Sequence, residues 1–561
     1  MKKSKNTSVL LIALLCLLAV NWLSSLVYKR FDLTQDQRYT LSGAAKEIVA
    51  PIDSPLLVEV FLSGNLPPEF KRLKEETEQL LEEFNNYNGN VAYQFVNLED
   101  DENRAGVQQQ MTALGLKGAQ VEIRENGKVS TETIFPWAVA YFNSKTIPIP
   151  LLKNTLGATS EERINSSIQN LEYAFANGFG KLTQPKKRKV GVLKGNGEME
   201  DRYLADFITT LREYYYIGQF TMDSVASNPQ RTLEAINGYD LIIIAQPTTP
   251  FTESETYVLD QYTMHGGASL WTVDATTQRL DTVSGNTFVF GQDLGLNDLF
   301  FKYGVRVNPN LVKAVPSGFI VLATGSERES QYQQYPWLYS PLSTKFNYHP
   351  IVTNIEAVKF DYASSMDTLP NSLRKTVLQS TSPFSKIVGL PTEINIDTEI
   401  PKNISVVNEG PKATEFNSGQ VPLAILLEGE FTSAFENRIK PFKTSLDRTK
   451  SAANKMVIIS DGDVIKNQLD RGRPLELGFD KWTNSFYGNK EFLLNTVNYL
   501  LDDSGLINIR SKEIAVPFLD PQRTAEERTK WQIINLLLPL GFLVVFGLLF
   551  QYFRKRKYTR S

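Results

Sequence analysis

The chain has 561 residues, too many for one domain at roughly 100–200 residues each and enough for two to four. Its 59 Lys and Arg residues nearly balance 62 Asp and Glu residues, and the net charge of −3 excludes a nucleic-acid binder that works through a basic surface. One cysteine excludes an intramolecular disulfide framework and a Cys-rich metal centre, and the only two histidines, His265 and His349, exclude a His-rich one.

Residues 7–27 carry no charge, and residues 531–550 carry none either. A helix needs about 20 residues to cross a hydrocarbon core, so each stretch is long enough to span. A cleaved signal peptide competes for the first. That stretch is longer than the usual apolar core of about 7–15 residues, and it shows no small-x-small cleavage site, so an uncleaved anchor is expected. Lys2, Lys3 and Lys5 precede the first stretch, and Arg554, Lys555, Arg556, Lys557 and Arg560 follow the second. The positive-inside rule then places both termini in the cytoplasm and the roughly 500 residues between them outside. All the acidic residues fall in that exported region.

The exported region opens with a helix start at Ser42, followed by a strand at 57–62 (LVEVFL). Residues 70–87 read as an amphipathic helix with Leu73, Leu80, Leu81 and Phe84 on one face. A strand at 91–96, a hairpin around Asn126-Gly127 and a helix at 161–176 follow. This order is compatible with a small thioredoxin-like α/β domain over 31–183. It lacks the Cys-x-x-Cys pair, which excludes a redox role. The run TQPKKRK at 183–189 reads as a solvated linker, with an anion contact as the sharper alternative.

A second α/β region follows. A strand at 189–193 leads to Gly195-Asn196-Gly197-Glu198 and a helix at 201–215. The near-continuous apolar run DLIIIA at 240–245 reads as a central parallel strand. A helix at 253–265 stops at Gly266-Gly267, and strands follow at 268–274 and 455–460. Residues 489–501 read as a closing amphipathic helix. Alternating strands and helices at this spacing imply a doubly wound parallel sheet. The aromatic-rich stretch 276–453 yields no strand order.

The sequence contains no P-loop, H-E-x-x-H or G-x-S-x-G motif. The turn Gly195–Glu198 sits after a strand and before a helix, where open α/β sheets bind ligands. Gly195, Gly197 and Glu198 are therefore candidate ligand contacts. The plainer reading is a tight turn with an acid placed on a helix dipole. Asp461 and Asp463 also sit at a strand end, and could hold Mg²⁺ or Ca²⁺ or simply cap the next helix. Asp274 and His265 form a weaker candidate base and acid pair, with no nucleophile beside them.

Several blocks carry a family resemblance: RFDLT at 30–34, RYTLS at 38–42, VGVLKGNGE at 190–198, DLIIIAQP at 240–247, LEGEFTSAF at 427–435, ISDGD at 459–463 and GNKEF at 488–492. Together they resemble the GldG family, the gliding-motility-associated ABC-transporter auxiliary (substrate-binding-type) proteins of Bacteroidetes. The resemblance implies a fold similar to class I glutamine amidotransferases over 184–505. The nucleophilic cysteine of those enzymes is absent, because Cys16 lies in the first apolar stretch. A non-catalytic descendant with no cofactor and no metal is therefore implied.

The expected layout is a first span within 1–30, the two α/β domains, a linker at 506–530, a second span at 531–553 and a basic tail at 554–561. The implied partners are an ABC-2-type membrane permease and a separate cytoplasmic ATPase. The implied place is the inner membrane, two-pass, with a large periplasmic region, in a system linked to gliding and type IX secretion. The alternatives are a periplasmic scaffold or glycan-binding module and, behind them, a periplasmic amidotransferase-like or glycan-cleaving enzyme.

Overall fold

Ser42 caps the first helix, α1 (Gly43–Val49), by accepting from the Ala45 N–H at 3.2 Å. The computed structural model describes residues 40–511, apart from 65, 98–108, 110, 113–114, 126–127, 154–157, 278–284, 325–330, 345–348 and 502–504. It also describes 526–558 and the isolated positions 12, 14–17 and 21. The first apolar stretch and the Asn126-Gly127 turn therefore lie largely outside the described residues.

After α1 come β1 (Leu56–Val60), α2 (Pro68–Tyr87) and β2 (Val91–Phe95). The hairpin β3 (Ala119–Glu125) and β4 (Lys128–Ile134) follows, then β5 (Trp137–Phe142), β6 (Lys145–Pro150) and α3 (Ser160–Thr183). The four-stranded sheet runs β2-β1-β5-β6, with β1 and β2 parallel and the other pairs antiparallel. The hairpin expected from the sequence exists but pairs only with itself. The strands that complete the sheet, β5 and β6, were not anticipated. Pro148 and Pro150 suit β6 to a sheet edge, where a missing N–H costs nothing. Phe70, Leu73, Leu81 and Phe84 of α2 and Phe175 and Phe179 of α3 fill the core beneath the sheet.

The larger sheet begins with β7 (Lys189–Lys194), α4 (Asp201–Leu211), β8 (Tyr216–Thr221), α5 (Pro229–Ile236) and β9 (Leu241–Ala245). It continues with α6 (Glu253–Met264), which opens on a Thr252–Glu255 capping box, and β10 (Ala268–Thr272). The stretch that yielded no strand order supplies β11 (Arg374–Ser380) and β12 (Pro422–Thr432), which join the sheet through β13 (Lys450–Ile459). The sheet order is β11-β12-β13-β10-β9-β7-β8. Its five strands from β13 to β8 are parallel, and β12 and β11 add antiparallel pairs at one edge.

Every side chain of β9 and β10 is buried. Leu241, Ile243 and Ala245 face a core shared with α4 and with α7 (Asn489–Leu501). Ile242 and Ile244 face another, shared with α5 and α6. Along the chain between β10 and β12 lies a smaller group of strands around Leu311, Trp337, Tyr339 and Ile394. Its long hairpin pairs Ser317–Thr324 with Gln331–Ser343.

Residues Met1–Glu513 form one compact unit and Ile514–Ser561 a second. Within the first, a short 3₁₀ turn at Leu506–Ser511 brings Ile507 and Ile509 into the N-terminal core. The second unit holds α8 (Arg528–Tyr558). Its stretch Arg528–Arg556 holds an 18-residue window with a mean hydropathy of 2.6 and no burial, and among the described residues it is the helix long and apolar enough to cross a membrane.

A buried ion cluster joins the smaller α/β layer to the larger. Glu491 of α7 lies 3.3 Å from Lys153 and 3.5 Å from Arg510. Both cations also donate to the Asn354 carbonyl. Asn354 in turn exchanges hydrogen bonds with Ser166 of α3. Burial pushes the Glu491 carboxyl up, but the two cations outweigh it and hold the group below its ordinary range. Such a carboxylate stabilises the fold above its unfolded pKa and stops doing so as pH falls through its folded pKa. Glu491→Gln leaves two cations without their anion. We expect a loss of about 1–3 kcal/mol near neutral pH, below the ~3–5 kcal/mol of a fully dry pair because 36% of the Glu491 side chain is exposed. The variant also loses part of the wild-type acid sensitivity. Denaturant melts at pH 4 and pH 7 check this, and equal stabilities for the two proteins at pH 7 contradict it.

Candidate functional site

The sheet order places β8 on one side of β7 and β9 on the other, so the chain reverses its direction of travel between β7 and β9. Loops diverge at such a point and leave a crevice at the carboxyl ends of the strands. The turn after β7 lies there. Gly195 and Gly197 adopt φ of 121° and 70°, which side-chain-bearing residues rarely reach. The turn is tied to the loop after β9. The Thr248 and Thr249 N–H groups donate to the Asn196 carbonyl at 3.0 and 2.9 Å, and Met199 N–H donates to Ala245 O at 3.0 Å.

Glu198 folds back on this turn and accepts the Asn196 N–H at 2.8 Å through Oε2. Its Oε1 is buried without a hydrogen-bond partner. Burial raises the carboxyl, with nearby N–H groups and Lys194 pulling the other way. The carboxylate thus helps close its own loop.

The other candidate acids meet at the ends of β9, β10 and β13. Asp461 is wholly buried; its Oδ1 accepts the Asp463 N–H at 2.7 Å and its Oδ2 accepts the Asp361 N–H at 2.8 Å. Asp463 caps nothing beyond its own turn and pairs with Lys466 at 2.7 Å. Asp274 accepts the Gly462 N–H at 2.7 Å and the Gln246 amide at 2.8 Å. Gly462 is required by this closeness, since a Cβ there would meet Asp274 Oδ2 at 2.8 Å. Gln246 itself sits at φ 50°, a strained value at the end of a strand. Burial, joined by the charges of Asp463, Asp274 and Asp361, pushes Asp461 well up.

Among the described residues no group of three or more His, Cys, Asp or Glu side chains is placed to hold a metal ion. Both oxygens of Asp461 accept backbone N–H groups, and Asp463 Oδ1 accepts from Lys466. His265 ends α6, before β10, whereas Asp274 follows β10. The strand between them keeps the two side chains apart, so this pair is not brought together.

A cleft of about 500 Å³ opens beside Asp463. The hairpin of the inserted strands contributes Phe319 and Trp337, and the segment before α7 contributes Phe479, Trp482 and Tyr487. Lys359 reaches Asp361 at 3.3 Å and Asp480 at 3.8 Å across its wall. These residues lie in stretches without a readable period, so the sequence pattern alone does not single them out. The aromatic run around Trp337 and the segment VKFDY at 358–362 are the signals that could have marked the region.

A family model described as ABC-type uncharacterized transport system matches residues 187–496, and one described as a domain of unknown function (DUF7088) matches 35–141. An uncharacterized protein of Borreliella burgdorferi is 20% identical over 536 residues, covering 94% of each chain. Among solved structures, the chain is similar to the mmIFT52 N-terminal domain, with a TM-score of 0.31 and 15% identity over 56% of this chain and 97% of that one.

Stability should register the buried acids. Burial first, and the Asp463 charge second, push the Asp274 carboxyl up to about 6. An unfolded Asp ionises near its ordinary 3.8 while the folded group still holds its proton. Stability is therefore greatest below about pH 4 for this group and is lost as pH rises to about 6. Asp274→Asn is expected to remove about 2–3 kcal/mol of that fall. Thermal melts across pH 4–7 check it, and an unchanged slope in the variant contradicts it.

Proposed function

We propose that this chain, which belongs to the ABC-type uncharacterized transport system family and is an auxiliary component of such a system, is its membrane-anchored, non-catalytic extracytoplasmic subunit. The reading is of the GldG kind: two spans, both termini in the cytoplasm, and a large periplasmic region made of a thioredoxin-like and an amidotransferase-like domain. Its partners are then an ABC-2-type permease and a separate ATPase, in an assembly linked to gliding motility and type IX secretion. The chain has no P-loop of its own, so ATP hydrolysis must come from another subunit.

One observation carries the non-catalytic part. Both oxygens of Asp461 accept backbone N–H groups, Asp274 is spent in the same way and Asp463 is held by Lys466. A general base must lie within hydrogen-bond reach of substrate, and Asp461 and the unpartnered Oε1 of Glu198 are buried away from solvent. The strand order β2-β1-β5-β6 of the smaller sheet supports the thioredoxin-like label, and the five parallel strands of the larger sheet support the amidotransferase-like one.

Two experiments test the reading. Cells lacking this chain should show the same defect as cells lacking the ATPase of the assembly. Normal behaviour without the ATPase favours a free-standing scaffold instead. A Glu198→Gln variant keeps the side-chain shape and removes the acid–base chemistry of the candidate carboxylate whose Oε1 has no hydrogen-bond partner. It should complement within about twofold, whereas an enzyme relying on this group would lose on the order of 10²-fold or more.

A further inference from the structure

We propose that the cleft beside Asp463 is a saccharide-binding site that takes a short, neutral oligosaccharide. The proposal rests on reading the chain as the ligand-contacting component of a transport system. The cleft has the size of a small-molecule site, about 500 Å³ against the usual ~300–1,000 Å³, and it lies at the carboxyl edge of the parallel strands.

Its walls combine aromatic faces with planar polar groups. Trp482 is 45% exposed and Phe319 is 42% exposed, so both rings present apolar surface in the cleft lining. Trp482 is steadied by its neighbours: the Tyr332 ring centre lies 4.9 Å from its own, and the Lys481 ammonium lies 4.9 Å from its ring centre. Deeper, Trp337 is buried and donates through Nε1 to the Tyr362 hydroxyl at 3.2 Å. Tyr362 sits at φ 58°, a conformation a bulky residue holds only when its surroundings force it, and such strain gathers at ligand clamps.

The charges decide the class of ligand. Lys359, Lys466 and Lys481 face Asp361, Asp463 and Asp480 in the lining, so the wall has no net charge. Lys359 is matched with Asp361 and Asp480, and Lys466 with Asp463. A wall balanced in this way cannot neutralise a phosphate or an ammonium ligand. It can serve adjacent hydroxyl groups, since each carboxylate accepts an O–H and each ammonium donates to the neighbouring oxygen. A sugar ring offers such hydroxyls around its edge and C–H groups on its faces, which rest on aromatic rings. An acyl chain would leave the polar wall without partners, at a cost.

The test uses the full-length chain in lipid nanodiscs, because alkyl-glycoside detergents would present competing sugar headgroups. The chain is screened against an array of neutral oligosaccharides beside an array of proline-rich and aromatic peptides. The best saccharide is then titrated by tryptophan fluorescence. We expect a saccharide to bind. Trp482→Ala and Phe319→Ala should each weaken it by about 3- to 10-fold, the range of one lost ring contact, with melting temperatures unchanged. If Trp482→Ala lowers the melting temperature, Phe319→Ala at the rim carries the test alone. Binding to peptides alone, to no saccharide, or with full affinity in Phe319→Ala overturns the proposal. The same nanodisc preparation from cells is scored for ABC components. Components without saccharide binding would sink the ligand assignment and spare the transport reading. Saccharide binding without components would do the reverse.

Discussion

The strands Leu241–Ala245 and Ala268–Thr272 expose no side chain on either face, so neither face of the central sheet can meet water. Covering both faces is the constraint from which the arrangement follows. Helices α4 and α7 take one side, and α5 and α6 the other. With the faces given over to packing, polar groups reach the surface only where the strands stop. Three acids sit at this rim, where the sheet's strands stop: Asp240 at the amino end of β9, and Asp274 and Asp461 after the carboxyl ends of β10 and β13.

At that rim the carboxylates act as fasteners. Asp461 joins the loop after β13 to Asp361 of the inserted segment, and Asp274 joins the same loop to Gln246 after β9. Each closure satisfies N–H groups that a turn would otherwise leave exposed or orphaned. The cleft forms between this fastened rim and the inserted hairpin. Elsewhere the Lys153–Glu491–Arg510 cluster fixes the smaller α/β layer against the larger. A chain built in this way offers a fixed platform, in keeping with an auxiliary component of an ABC-type transport system.

Where burial was uniform or strictly periodic, the residues announced themselves. The run DLIIIA could only be a central strand, and the helix over 70–87 showed its buried Leu73, Leu81 and Phe84. The Gly266-Gly267 stop after α6 was a local signature that no tertiary contact had to supply, and Gly266 adopts φ 93° there. Strands β5 and β6 escaped because WAVAYF is apolar without alternation and KTIPIP carries two prolines that weaken any strand pattern. β11 and β12 escaped for a topological reason. They pair with partners late in the chain, and their register is set by β13 rather than by a nearby turn. The acids Asp461 and Asp463 were visible because they follow a strand directly. Their cleft partners, Lys359, Asp361 and Trp482, come from segments far apart in sequence and become neighbours only in the fold.

The account stands on the chain acting as part of a transport assembly. The most direct measurement is recovery of the tagged full-length chain from native membranes in a mild detergent, with co-purifying proteins identified by mass. The account predicts a multi-span permease and a P-loop ATPase in fixed proportion to the chain. An abundant, folded chain recovered with neither would contradict it.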